Sequence, residues 1–258
     1  MKTNNRLSLS KEKNNKSRFY TIILFLLIIS YILWFWQFNF CTINAHLLSS
    51  LILSIPIVLI GLIFYLSKRE KIKDRKGKKI SIILIIIFLI LSFLTSISVM
   101  VEEGTSHEES IQKYKHIYNI AGYKKIRFHF PSEIQQDLIQ NNKAKFYYRP
   151  QFLQGGFCFE LLMEMTNSEI DAYIEKYKEL AKEKMEVNEK NYVELYNKYG
   201  IENPTIFKYK EGKDFFINSE IYLFDYNSYK PNNWNHGYVY YMAKNNNLKK
   251  LLLVTEVW

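Results

Sequence analysis

The stretch Ser67–Lys79, SKREKIKDRKGKK, constrains the fold of this chain more than any other feature. It holds eight basic and two acidic residues, and a long apolar run lies on either side of it. Each run has about the 20 residues that a helix needs to cross a bilayer. A short basic loop between two spanning helices stays in the cytoplasm. The sequence therefore predicts a membrane protein whose C-terminal residues lie outside the cytoplasm.

Three membrane-spanning helices are predicted, at about 19–38, 47–66 and 80–101. None contains Asp, Glu, Lys or Arg, which argues against a pump or an ion-coupled transporter, because these need ionisable groups inside the membrane. Residues 1–18 are polar, basic and without apolar periodicity, so we expect a disordered cytoplasmic tail. The predicted location is the cell membrane, multi-pass, with a cytoplasmic N-terminus and an extracytoplasmic C-terminal domain. The inverted topology would place both basic segments outside, against the positive-inside rule.

Positive charge is concentrated in the two segments that flank the spans. The chain has a net charge of +10, yet residues 102–258 hold 21 basic and 22 acidic residues. A nucleic-acid-binding domain would need a basic face, so the expected partners are anionic lipid headgroups instead. The predicted headgroup contacts are Lys68, Arg69, Lys71, Lys73, Arg75, Lys76, Lys78 and Lys79.

Small residues recur at four-residue spacing in two of the spans, as Ser50 with Ser54 and Ser92 with Ser96. Such spacing lets helices approach closely. Packing inside one three-helix bundle is the simpler interpretation. A homo-oligomer, or docking of another membrane protein, is the alternative.

The remainder of the chain predicts an α+β domain at 123–258, preceded by a stalk or first helix at 102–122. Alternating or apolar segments predict strands at 125–130, 143–149, 157–165, 205–210, 215–224, 237–243 and 248–257. A short helix is expected near 132–140, and one long helix over 168–199, with a break near Val187–Asn188 as an open alternative. The fold class is thus three transmembrane α-helices followed by an α+β domain, with an antiparallel sheet of six or seven strands and one long helix packed on it.

Tyrosine is the strongest compositional signal, because 17 of the 20 tyrosines follow residue 101. Most suit the faces of a sheet. Four aromatic residues differ, since they fall in the Asn-rich segment 225–236, which has no apolar periodicity. Loops carry function more often than strands do. We therefore predict a ligand or partner contact at Tyr226, Tyr229, Trp234 and His236, with a loop pinned to the sheet by Trp234 as the alternative.

No cofactor and no metal ion is predicted. His107, His116 and His129 match no metal-binding spacing. The two cysteines, Cys41 and Cys158, are both predicted outside, where a disulfide is allowed, but separate packed thiols are favoured. A nucleophilic Cys158 would need His129 or His236 beside it.

Two functions follow from these features. The favoured one is a non-enzymatic membrane protein whose Tyr-rich outer domain binds a partner, an envelope component or a small ligand, as accessory or immunity-type proteins do. The alternative is a membrane-anchored extracytoplasmic enzyme acting on lipid or cell-wall material. Its acids would be Glu160 and Glu164, but four residues of strand separate them by roughly 13 Å, more than paired catalytic carboxylates use.

Overall fold

The computed structural model describes residues 2–69, 71–105, 107–120, 129–150, 156–207, 209–227 and 237–257. The chain divides into two compact units, Met1–Met100 and Val101–Trp258. The predicted fold class is confirmed, since three long apolar helices precede an α+β region with a six-stranded antiparallel sheet.

The N-terminal unit consists of the helices α1 (Lys2–Phe40), α2 (Leu47–Lys68) and α3 (Asp74–Thr105). Each contains a stretch long and apolar enough to cross a membrane, namely Tyr20–Phe40, Leu47–Lys68 and Arg75–Thr105. A helix suits an apolar environment because its backbone N–H and C=O groups bond to one another and need no water.

The surface of this unit is apolar, whereas its interior holds a few polar contacts. Leu53 and Ile60 are fully buried between the helices, and Trp34 Nε1 donates a hydrogen bond to Ser96 Oγ at 3.1 Å. Large apolar side chains cover the outside of all three helices. After residue 105, the described residues expose only three such side chains, Leu180, Val193 and Leu248. A continuous apolar surface of this extent is stable against lipid and not against water.

The helix α1 corrects the prediction of a disordered tail, because it begins at Lys2 and includes residues 2–18. No Gly or Pro interrupts residues 2–40. Adding residues to an existing helix costs much less than nucleating a new one, so the apolar part of α1 extends towards the N-terminus.

The C-terminal unit is built around one antiparallel sheet. Its strands are β1 (Ala144–Arg149), β2 (Phe157–Glu164), β3 (Glu183–Glu186), β4 (Glu220–Asn227), β5 (Tyr238–Asn245) and β6 (Lys250–Val257), in the spatial order β1-β2-β6-β5-β4-β3. Its helices are α4 (Tyr114–Ile120), α5 (Gln136–Gln140), α6 (Asn167–Tyr177), α7 (Tyr192–Tyr199) and α8 (Tyr209–Phe216).

Helices cover both faces of the sheet. On one face Tyr114 of α4 packs edge-on against Phe146, and Phe146 against Phe159, with ring centroids 5.2 and 5.1 Å apart. On the other face Leu195 of α7 and Phe215 of α8 join the core formed by alternate residues of β2, β4, β5 and β6. The central strands are therefore buried on both sides. In β2, Phe159 and Leu161 are buried on one face and Glu160 and Leu162 on the other.

The long helix predicted over 168–199 is divided into α6, a short 3-10 turn, the edge strand β3 and α7. The helix thus ends at Tyr177, ten residues before Val187–Asn188, where the sequence analysis left a break as an alternative. A capping box of Thr166 and Glu169 starts α6. β3 forms because β4 offers it an edge, with Met185 opposite Ile221 in the register.

A second correction concerns 205–216, where one strand at 205–210 and the start of another at 215–224 were predicted. Residues 209–216 form α8 instead, and 205–207 form a turn. The spacing of Gly212 and Phe215 places both on one side of a helix, and Phe215 is fully buried. Tertiary packing thus outweighs the turn propensity of Gly212.

Within the predicted stalk or first helix at 102–122, residues 102–105 end α3, and α4 packs in the domain through the buried residues Tyr114 and Ile117. The strand predicted at 125–130 lies mostly outside the described residues, and His129 and Phe130 form a turn. The strands predicted at 143–149, 157–165, 237–243 and 248–257 correspond to β1, β2, β5 and β6.

Candidate functional site

Of the four predicted contact residues, the structure describes Tyr226 alone; Tyr229, Trp234 and His236 lie outside the described residues. Tyr226 is the second-last residue of β4 and lies opposite Val239 of β5 in the strand register. Its hydroxyl donates a hydrogen bond to Glu183 Oε1 of β3 at 2.9 Å. Tyr226 is therefore held in place by the neighbouring edge strand.

Glu183 links Tyr226 to a second tyrosine. Tyr199 of α7 donates its hydroxyl hydrogen to Glu183 Oε2 at 2.6 Å, and its ring packs edge-on against that of Tyr226 at 5.1 Å. Lys198 Nζ in turn donates to the Tyr199 hydroxyl at 2.6 Å. The hydrogen bond from Tyr199 is the main cause that lowers the pKa of Glu183. The carboxylate is thus kept ionised, with one tyrosine on each oxygen.

An open groove of about 440 Å³ runs along the other side of β3, between α6 and the sheet. Lys184 of β3 and Lys182, just before that strand, border the groove. Lys182 pairs with Asp225, and Lys184 pairs with Glu220 at 2.9 Å. The Lys184 ammonium also lies 5.5 Å from the centre of the Tyr222 ring. The groove therefore presents charged and aromatic groups together.

Lys244 forms the floor of this groove. Its side chain is only 11% exposed and lies between Asp171, at 3.2 Å, and Glu220, at 3.5 Å. Burial and the hydrogen bond to Glu220 raise the pKa of Tyr222 to about 12, so its hydroxyl stays protonated. These groups are fixed by one another and form a preorganised polar surface.

We define the edge surface as Lys182, Glu183, Lys184, Tyr199, Tyr222 and Tyr226. It surrounds β3, which is the last strand in the order of the described sheet. Lys182 and Lys184 are exposed on it, Glu183 and Tyr226 are half-buried, and Tyr199 and Tyr222 are buried beneath them. Tyrosine combines an apolar ring with a polar tip and is enriched at interfaces. Of these six residues, the sequence analysis named only Tyr226 as a predicted contact; Glu183 and Lys184 were assigned to the long helix 168–199.

The predicted acid pair Glu160 and Glu164 does not form. Glu164 is exposed and lies 3.3 Å from Lys250. Glu160 is 2% exposed, and its two oxygens accept hydrogen bonds from the backbone N–H groups of Thr205, at 2.9 Å, and Ile206, at 2.8 Å. A carboxylate that holds two amides in this way is a structural anchor and not a free general base.

The acid that does approach Glu160 is Glu256 of β6, which sequence analysis missed. Cys158 lies opposite Glu256 in the register, so Glu160 and Glu256 are diagonal neighbours on one face of the sheet. Burial, and then the charge of Glu160, raise the pKa of Glu256 to about 7. Arg149 Nη2 of β1 lies 3.8 Å from Glu256 Oε1.

Cys158 lies between the two acids and is 2% exposed. Its thiol donates a hydrogen bond to Glu160 Oε1 at 3.3 Å. Burial raises the pKa of the Cys158 thiol well above its usual range, so the thiolate needed for nucleophilic chemistry is disfavoured. Cys41 and Cys158 are both free thiols.

His129 does not lie where it could activate Cys158. His129 is fully buried beside the rings of Phe130 and Phe224, and burial lowers its pKa to about 3. Its neighbour Phe130 packs on Phe159, which faces away from Cys158, so His129 does not serve that thiol. His107 lies 3.4 Å from Glu109. Within the described ranges, no three His, Cys, Asp or Glu residues are placed to hold a metal ion.

The predicted headgroup contacts lie together at one end of the helical unit. Lys68 ends α2, Lys71 and Lys73 belong to the connection, and the residues from Arg75 to Lys79 form the first turns of α3. All eight except Lys78 are exposed.

Comparison of the chain with protein family models, with curated proteins and with solved structures finds no match.

Proposed function

We propose that this chain is a multi-pass protein of the cell membrane that holds its α+β domain on the extracytoplasmic face, where the edge surface binds a partner protein, an envelope component or a small ligand. The location is supported by the apolar outer surface of α1, α2 and α3 and by the basic segment 67–79 at one end of them.

The observation that carries the binding role is the placement of Tyr226. It is the one predicted contact residue that the structure describes, and its bond to Glu183 joins it to the edge surface. Tyr226 belongs to the Asn-rich segment 225–236 in which the contact was predicted, and residues 225–227 of that segment form the end of β4. Groups that are already held by mutual hydrogen bonds lose little entropy when they bind.

The location is tested with single cysteines at Ser17, Lys76 and Asn232 in a Cys41→Ser/Cys158→Ser background. Intact cells are treated with a membrane-impermeant thiol reagent. Labelling of Asn232→Cys alone is expected. Labelling of Ser17→Cys and Lys76→Cys, with Asn232→Cys protected, would reverse the topology.

Binding is tested with a photo-crosslinking amino acid at position 184, on the edge surface, in intact cells. Position 248 is the matched control, because Leu248 is exposed in a turn of the same domain. Crosslinks to a defined partner at position 184 and none at 248 are expected. Equal crosslinking at both positions, or none at 184, contradicts a binding role for the edge surface whichever topology is found.

A further inference from the structure

The segment 201–207, which we call the strap, joins α7 to α8 and lies across one face of the sheet. Ile201 and Phe207 are buried in the core of that face. Between them, the N–H groups of Thr205 and Ile206 both donate to the carboxylate of Glu160. A buried ionised group that loses its partners costs several kcal/mol. The charge of Glu160 and the position of the strap therefore depend on each other.

A second carboxylate, that of Glu256, lies diagonally across from Glu160 on the same face. Two like charges in a poorly solvated site raise each other's cost of ionisation. The nearest cation, Arg149, is 3.8 Å from Glu256 and partly exposed, so it compensates only in part. The titratable and charged groups that influence the pair from the packed elements are Tyr147, Arg149, Cys158, Glu202 and Tyr241.

Glu256 is the member of the pair that can exchange protons with water, because its side chain is 23% exposed while Glu160 is 2% exposed. We propose that Glu160 and Glu256 form a proton-dependent latch that holds the strap on the sheet. When Glu256 is protonated, Glu160 carries the only negative charge of the pair and binds both strap amides. When Glu256 ionises, repulsion between the two carboxylates favours release of the strap and hydration of Glu160.

The direction of the pH dependence follows from linkage. With the strap closed, burial and the charge of Glu160 raise the pKa of Glu256 from 4.5 to about 7. We take release of the strap to hydrate both acids and to return this pKa to 4.5, so that the closed strap binds more protons than the open one between these values. The contribution of Glu256 to the stability of the closed strap is therefore largest below about pH 4.5. It weakens as the pH rises to about 7 and then levels off. Between pH 5 and 7 the opening equilibrium should rise roughly thirtyfold.

Cys158 reports opening without any added probe, since it lies beside Glu160 and is buried while the strap is closed. The intact chain carrying Cys41→Ser is treated in detergent micelles with a dipyridyl disulfide, which reacts with thiols even at acidic pH. The modification rate is divided at each pH by that of a small free thiol. The normalised rate is expected to rise about thirtyfold from pH 5 to 7.

Two variants separate the latch from a general effect of pH on the fold. Glu256→Gln keeps the shape of the side chain, and should leave the normalised rate low and flat. Arg149→Met removes the cation that lowers the pKa of Glu256, so the rise should extend to higher pH. Glu164→Gln, an exposed acid of β2, is the control and should behave like the parent protein. A flat parent profile, or an unchanged profile in Glu256→Gln, would overturn the proposal.

Discussion

Tyr20 of α1 occupies the space that a side chain at Gly77 of α3 would need. A Cβ at position 77 would lie 2.9 Å from the Tyr20 hydroxyl oxygen, closer than real Cβ contacts come. Tyr20 is itself 2% exposed, so its rigid ring has little room to move. The absence of a side chain at Gly77 therefore lets α1 and α3 pack closely at this point.

Gly77→Ala should destabilise the helical unit by about 1–3 kcal/mol through overpacking. The matched control is Gly61→Ala in α2, where a Cβ meets nothing within 4 Å. Thermal unfolding of the intact chain in detergent measures both. Equal melting temperatures for the two variants would contradict the tight contact with Tyr20.

Gly212 plays a corresponding part in the C-terminal unit. A Cβ at this position of α8 would lie 1.4 Å from Asn203 Oδ1 of the strap. Alanine favours a helix over glycine by about 1 kcal/mol, but the clash with Asn203 should outweigh this gain. Gly212→Ala should therefore lower the free energy of unfolding, and Gly212→Ala with Asn203→Gly should recover most of the loss. Failure of the second substitution to restore stability would mean that another contact is responsible.

Tyr226→Phe removes one hydroxyl and its hydrogen bond to Glu183. The expected loss in the free energy of unfolding is about 1 kcal/mol. In a Glu183→Ala background the same substitution should cost much less, since the acceptor is already gone. Denaturant unfolding of the four proteins gives the coupling energy. A coupling near zero would show that the hydrogen bond does not stabilise the edge surface.

His129 should make the domain sensitive to acid. The folded state lowers its pKa from 6.5 to about 3, so only the unfolded chain binds this proton between these values. The contribution of His129 is present above pH 6.5 and falls by about 2 kcal/mol between pH 7 and 5. His129→Phe should remove this part of the pH dependence when unfolding is compared at the two pH values. The same slope in both proteins would show that His129 is not the group concerned.

Glu256 gives stability the opposite pH dependence from His129, since the pKa of Glu256 is raised in the folded state. Its stabilisation is lost as the pH rises to about 7, whereas that of His129 is lost as the pH falls. The two groups lie on opposite faces of the sheet. Stability measured in Glu256→Gln should therefore increase with pH more steeply between pH 5 and 7 than stability measured in the parent protein.

Several features of this protein follow from its sequence alone. The three long apolar helices follow from local sequence, because about 20 consecutive apolar residues are enough to predict each. The strands β1, β2, β5 and β6 are also predicted, since apolar and β-branched or aromatic residues continue through them. The contact at Tyr226 stays a prediction, made from the polar, aromatic composition of its surroundings.

Other features were decided by tertiary structure. Glu183–Glu186 continue an apolar period that suits a helix, and they form a strand because β4 has an unpaired edge beside them. Residues 209–216 contain Gly212, which favours a turn. They form a helix because Phe215 and Phe216 pack in the core between α7, α8 and the sheet. Glu160 and Glu256 lie 96 positions apart in the chain and become neighbours only through the register of β2 and β6. Local patterns specify which segments are apolar, while contacts between distant segments set which edges pair and which charges meet.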